Sequence, residues 1–249
     1  MGKARKGKQG SSGGNKPYGS NNNASSQKPQ EKNKIISELS SLDEKRRLNG
    51  CKLILNVFDS NVITAQETFT TKQLCSLIIL RLVDTDLEVR IHAAQVVRNM
   101  ACSMNSNVVQ KLVDAGVIQA VLGILSSSID NEEGDDTLIG IVENLLTGLS
   151  AMVAVCDDAY DDLVGPPVTQ MMLQLINSGK SIDIQKNSAD LLLGCTEENV
   201  SCCEVVVSSG GVAMLGGLLV NATCTADVAV SCGGILLNIF GSTSDGNVK

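Results

Sequence analysis

The chain runs to 249 residues, of which 43% are hydrophobic but only 2% aromatic, with no Trp, two Tyr and three Phe. A core made this way draws on Leu, Ile, Val, Ala and Met, which argues against immunoglobulin-like sandwiches and aromatic-lined pockets and favours many small contacts between helices. The net charge of −7 hides a split of +7 on residues 1–34 against −14 on the remainder, and the single histidine, His92, rules out a multi-His metal site and limits any Ser-His-Asp or Cys-His arrangement to one residue.

Residues 1–34 come first as a basic tail. The stretch 1–30 is Gly, Ser, Asn, Gln and Lys with almost nothing apolar, so it cannot bury enough surface to offset chain entropy and is expected to be disordered. Met1-Gly2 is not a myristoylation signal, because Lys6 stands where Ser or Thr is needed. Lys3, Arg5, Lys6 and Lys8, followed by Lys16, Pro17 and Tyr18, resemble the basic-plus-Pro-Tyr import signal read by transportin-type karyopherins. The alternative is a solubilising tail with a chance Pro-Tyr.

From Ile35 the pattern is helical and repeats internally. VRIHAAQVVRNMA (89–101) and KLVDAGVIQAVLGIL (111–125) return 95 residues later as IDIQKNSADLLLGCT (182–196) and VVVSSGGVAMLGGLL (205–219). A divergent unit stands between them: LIGIVENLLTGLSAM (138–152), a short helix near Asp157–Val164, and VTQMMLQLI (168–176). KRRLNGCKLILNVF (45–58) matches the first unit at an offset of 43, and DVAVSCGGILLNIF (227–240) is a last partial copy. Small pairs recur at Gly50-Cys51, Ala93-Ala94, Ser188-Ala189 and Cys232-Gly233, where one helix is expected to lie close on its neighbour. Gly116 and Gly211 are placed between helices, where a sharp turn is needed.

Between the second and third units lies the acidic stretch 130–136, with Asp130, Glu132, Glu133, Asp135 and Asp136. It lacks the ligand alternation of an EF-hand. It is either a solvated loop or a capture site for a basic protein surface, and Asp157, Asp158, Asp161 and Asp162 form a second acidic patch in the next unit. The uncharged run between Glu204 and Asp227 is long enough to cross a bilayer, but its Ser, Asn, Thr and double Gly argue against a span. Nine cysteines without a CxxC pair, in odd number, read as reduced and mostly buried small hydrophobes.

The small pair, the Leu/Val and Asn that follow it, the polar loop and the AGVIQAVLGIL-type helix resemble the armadillo repeat, and DTDLEVR (84–90) resembles the turn of HEAT repeats. The implied fold is all-α: a right-handed armadillo/HEAT α-solenoid of about four and a half repeats over 35–240, between the tail 1–34 and a disordered end 241–249. In armadillo proteins that hold extended peptides, Asn at the position of Asn56, Asn99 and Asn238 bonds the peptide backbone; a local capping role is the alternative. In order, Met1-Gly2-Lys3, Pro17-Tyr18, SLDEKRRLNGCKLIL (41–55), LEVRIHAAQVVRNM (87–100), the acidic loop and the unit at 227–240 resemble the symportin-type adaptors of ribosome assembly. That resemblance implies an import adaptor shuttling between cytoplasm and nucleus. Its tail would bind a transportin-type karyopherin, and its solenoid would bind the basic ribosomal proteins of the 5S ribonucleoprotein. No enzyme activity, cofactor, metal, direct nucleic-acid partner or membrane partner is expected. A general armadillo peptide-binding scaffold without a nuclear role is the alternative.

Overall fold

The computed structural model describes residues 24–60, 71–129, 135–197 and 199–244. The tail residues Lys3, Arg5, Lys6, Lys8, Lys16, Pro17 and Tyr18, and the loop residues Asp130, Glu132 and Glu133, lie outside them.

The described residues form thirteen α-helices and no strand. They are α1 (Ala24–Leu39), α2 (Glu44–Ser60), α3 (Lys72–Arg81), α4 (Leu87–Cys102), α5 (Ser106–Val113), α6 (Val117–Ile129) and α7 (Asp136–Val153). They continue as α8 (Asp157–Leu163), α9 (Pro166–Ser178), α10 (Ile182–Thr196), α11 (Val200–Ser208), α12 (Gly211–Leu219) and α13 (Ala226–Ser244). From α4 onward one long helix and two shorter ones alternate three times before the final long helix. The long helices stack in one row, α2 on α4, α4 on α7, α7 on α10 and α10 on α13. The shorter helices form a second layer, in which α5 meets α8 and α6 meets α9. This is an all-α solenoid, as the repeats predict.

Local chemistry sets the helix starts. Asp86, Asn105, Asp135, Ser181 and Asn199 each accept hydrogen bonds from backbone N–H groups two or three residues on, closing donors that the first turn leaves open. Pro166 opens α9, where a missing N–H costs nothing. The core is aliphatic throughout: Val89, Ala93, Ala94, Val97 and Met100 of α4 are fully buried, and Ile141, Leu145, Leu146, Leu149 and Met152 of α7 repeat that spacing 52 residues later.

Three features differ from expectation. Helix α1 begins at Ala24, eleven residues before Ile35, because Ala, Gln, Lys and Glu sustain a polar helix that docks through Ile35 and Leu39. Helix α13 runs past Phe240 to Ser244. The positive φ in the last repeat falls on Gly210 (φ 75°), not Gly211, whereas Gly116 (φ 88°) is where it was expected. Gly211 is needed for closeness instead: a Cβ there would stand 2.7 Å from Val206 Cγ1 and 3.0 Å from Leu173 Cδ2. The uncharged run from 205 to 226 is no single helix, since α11 and α12 meet at 81°. Among the described helices α7 alone is by itself long and apolar enough to cross a membrane, and its apolar residues are packed between α4 and α10.

Candidate peptide-binding groove

The row of long helices presents one shared face, and the matching burial patterns put its residues in register. Asn56, Asn99, Ala151, Gly194 and Asn238 occupy one position along α2, α4, α7, α10 and α13. Four residues before each stands a second line: Lys52, Gln95, Thr147, Asp190 and Gly234. A third line holds Asn49, His92, Asn144, Asn187 and Ser231. The sequence placed the third-repeat equivalent of Asn99 at Thr147 or Gly148. Burial moves it to Ala151, because α7 carries Leu145-Leu146 where α4 carries Ala93-Ala94.

Neighbouring helices are stitched across this face. Asn187 Nδ2 donates to Thr147 Oγ1 at 3.1 Å, Ser231 Oγ donates to Asp190, and Arg98 Nη1 donates to Asn144 Oδ1 at 3.4 Å. Each bond joins one long helix to the next, so much of the polar inventory of the middle repeats is committed to the solenoid itself. Lys186 pairs with Asp190 at 3.0 Å, and that hydrogen bond raises the Lys186 pKa.

The three asparagines differ. Asn56 is exposed and Asn99 half-buried on the open face. Asn238 instead donates to Thr196 Oγ1 of α10 at 3.1 Å, another bond between neighbouring long helices. His92 is an internal helix residue: its Nδ1 lies 2.7 Å from the Glu88 carbonyl, which can only accept, so that nitrogen carries the proton.

Charge is graded along the row. Helix α2 presents exposed Lys45 and Lys52, whereas α10 and α13 bring Asp183, Asp190 and Asp227, and Lys186 is the only Lys or Arg in the sequence from 182 to 244. The described residues of the two acidic segments seen in the sequence lie off this face. Asp135 caps α7 by accepting from the Thr137 N–H at 2.8 Å, and exposed Asp136 sits in its first turn. Asp157, Asp158, Asp161 and Asp162 are all exposed on α8, beyond the other end of α7, with Asp158 and Asp162 accepting from Gln110 and Gln119. An 18-residue helix separates the two patches by about 27 Å, which puts them on opposite edges of the solenoid.

One cavity of about 260 Å³ opens at the first of these edges, lined by Leu87, Arg90, Leu138, Val142 and Ile184 with Lys180 at its rim. Lys180 Nζ donates to the Ser128 carbonyl at 2.7 Å, and Arg90 Nε to that of Leu82 at 3.2 Å, so both cations close helix ends. Among the described residues no cluster of His, Cys, Asp and Glu converges as metal ligands. The sequence reading passed over Lys52, Gln95 and Asp190; their signal was present, because the repeat offsets that align the asparagines align these residues too.

No protein-family model matches the chain, and no curated protein matches it. Solved structures do. A designed armadillo repeat protein superimposes with a TM-score of 0.65 at 15% identity, over 86% of this chain and 87% of that one. Computationally designed armadillo repeat proteins for modular peptide recognition give 0.66 at 17% identity, over 82% and 80%. A third, a designed armadillo repeat protein in complex with the peptide (KR)4, gives 0.62 at 15% identity, again over 82% and 80%. Together with the stacked long helices, this likeness establishes an armadillo-type α-solenoid as the fold of the chain.

Proposed function

We propose that this solenoid is a protein-binding adaptor that holds a basic polypeptide on the face of its long helices. The observation that carries the reading is the register of polar side chains along five stacked helices, acidic at its α10–α13 end. An asparagine such as Asn99 offers a donor and an acceptor side by side, which matches the paired groups of an extended backbone. Asp183, Asp190 and Asp227 supply attraction for Lys and Arg side chains. The (KR)4 complex of the designed relative is an instance of this fold holding a basic peptide.

The finer reading follows the sequence resemblance. The adaptor would carry basic ribosomal proteins of the 5S ribonucleoprotein, engage a transportin-type karyopherin through Lys3, Arg5, Lys6, Lys8, Lys16, Pro17 and Tyr18, and shuttle between cytoplasm and nucleus. Titration calorimetry with purified basic ribosomal proteins, run against histone at low and moderate salt, tests the cargo. Selective binding that persists at moderate salt supports it; equal binding to any polycation sinks it.

A second reading, a general armadillo scaffold without a nuclear role, is favoured by one observation. The asparagine line is interrupted at Ala151 and Gly194, where a continuous extended peptide would lack partners. Deleting residues 1–20 separates the two, because nuclear entry that is unchanged by the deletion leaves only the scaffold.

A further inference from the structure

Two pairs of charges occupy the same two places on α2 and α10. Lys45 and Lys52 stand eleven and four residues before Asn56, and Asp183 and Asp190 stand eleven and four residues before Gly194. Each pair is therefore two turns apart on one face of its helix, the face that carries the polar lines of the groove. The sign of the charge reverses from one pair to the other.

Both ends keep their charge. On α2, Arg46 and Arg47 are taken up by Glu38 and Asp84. Lys45 and Lys52 are exposed and have no ion-pair partner among the described residues. On α10, Asp183 is exposed, and Asp190 pairs with Lys186 at 3.0 Å. The Lys186 pKa is raised first by the Asp190 hydrogen bond and further by the charges of Asp190, Asp227 and Asp183, so one cation faces three carboxylates there. Between the two ends, α4 adds one exposed charge of each sign, Glu88 and Arg98.

A uniformly basic chain would be attracted over α10 and repelled over α2. Packed helix axes lie about 8–10 Å apart, so the three steps from α2 through α4 and α7 to α10 span about 27 Å. An extended chain covers about 3.3 Å per residue. We propose that the segment held in the groove is bipolar, an extended stretch with acidic residues over α2 and basic residues over α10, about eight residues apart. The proposal rests on the groove reading above and adds to it the charge pattern of the partner.

Calorimetry of the full chain at low salt tests it with synthetic peptides in which a Glu pair and a Lys/Arg cluster are joined by about eight Ser and Thr residues. Both chain orders are made, and each has a control with Gln in place of Glu. In at least one order the bipolar peptide is expected to bind about tenfold tighter than its control, the yield of two exposed ion pairs. On the Lys45→Gln/Lys52→Gln variant, where both changes are at exposed positions, the ratio of the two affinities is expected to fall to about one. Controls that bind as tightly as the bipolar peptides in both orders overturn the proposal and leave the groove reading standing. A tenfold gain that survives on the lysine variant overturns it too, because the acidic half then lies elsewhere. If neither the bipolar peptides nor their controls bind, the groove reading itself falls and the proposal with it.

Discussion

Arg47 and Asp84 meet in a bidentate ion pair, Nε and Nη2 of the guanidinium each donating to a carboxylate oxygen at 2.7 Å. Their side chains are 10% and 3% exposed, and Arg81 adds a third contact to Asp84 at 2.9 Å. Arg47 Nη1 also donates to the Leu42 carbonyl at 2.7 Å, so one side chain ties the start of α2 to the turn between α3 and α4. The pair therefore fixes the first step of the row of long helices.

Asp84→Asn is expected to destabilise the chain by about 3 kcal/mol, because it leaves the Arg47 and Arg81 charges buried with half their compensation. Acid should show the same linkage. Burial alone would raise the Asp84 pKa, but the Arg47 hydrogen bonds, the Asp86 N–H and the nearby Arg47 and Arg81 charges together lower it. Its contribution is then complete above the unfolded value of about 4 and is lost as pH falls through the lower folded value. Urea unfolding at a series of pH values checks both, and an Asp84→Asn variant with an unchanged acid slope counts against the linkage.

Gly211→Ala is expected to cost about 1–3 kcal/mol, since the new methyl would overlap Val206 and Leu173. Gly233→Ala has open space at its Cβ and should stabilise α13 by up to about 1 kcal/mol through helix propensity. Opposite signs in paired thermal melts are the expected result.

These glycines also show how far the sequence could be read. The offsets of 43 and 95 located the long helices because each must bury the same aliphatic stripe. The reading stopped where neighbouring positions compete. It placed close approach at Gly233, but Gly234 is the residue that meets Leu193 (2.8 Å from a Cβ), because one residue along a helix turns the side chain by about 100°. The register of α7 was similarly misplaced, since Leu145-Leu146 stand in place of a small pair and Gly148 supplies the close approach to Arg98. The Arg47–Asp84 pair was invisible, as no periodicity links two charges whose partnership exists only once α2 and α4 stack. Of the candidate groove, the sequence offered Asn56, Asn99 and Asn238 by their repeat offsets, but not that Asn238 is held by Thr196.

The thiols should divide sharply. Seven of the nine cysteines are buried, Cys224 is half-buried and Cys102 is exposed. In the native chain at neutral pH, iodoacetamide is expected to modify Cys102 first, with the buried seven protected until unfolding, as peptide mass spectrometry would read. Burial pushes Cys51 and Cys195 up to about 12, and Cys75 and Cys232 up to about 11. Raised folded values mean that stability is intact below the unfolded thiol value of about 8.5 and falls as pH rises toward the folded ones. Alkaline unfolding that shows no decline across that window would contradict this.

In the groove, Asn99→Ala is expected to weaken a basic peptide by about tenfold, the loss of a paired backbone contact, while leaving the melting temperature unchanged. Asn238→Ala should behave the opposite way, lowering stability by about 1 kcal/mol through the lost bond to Thr196, with a smaller effect on binding. Calorimetry with a Lys/Arg peptide, beside thermal melts of both variants, separates the two roles.

The two acidic edges supply the last test. Asp135 and Asp136 at the start of α7 and the four aspartates of α8 are too far apart for a short peptide to bridge, but a folded basic protein can span them. Neutralising Asp157, Asp158, Asp161 and Asp162 to Asn should therefore leave a short peptide's affinity nearly unchanged and lower that of a folded basic protein. Replacing exposed Asp136 by Asn should do the same, and the two sets should add, since sites this far apart couple little. Because exposed charges are screened within about 10 Å at 0.1 M salt, both effects should shrink as salt rises. Equal losses for the peptide and the protein would mean that the edges act on the groove through general charge, and would remove them as separate contact surfaces.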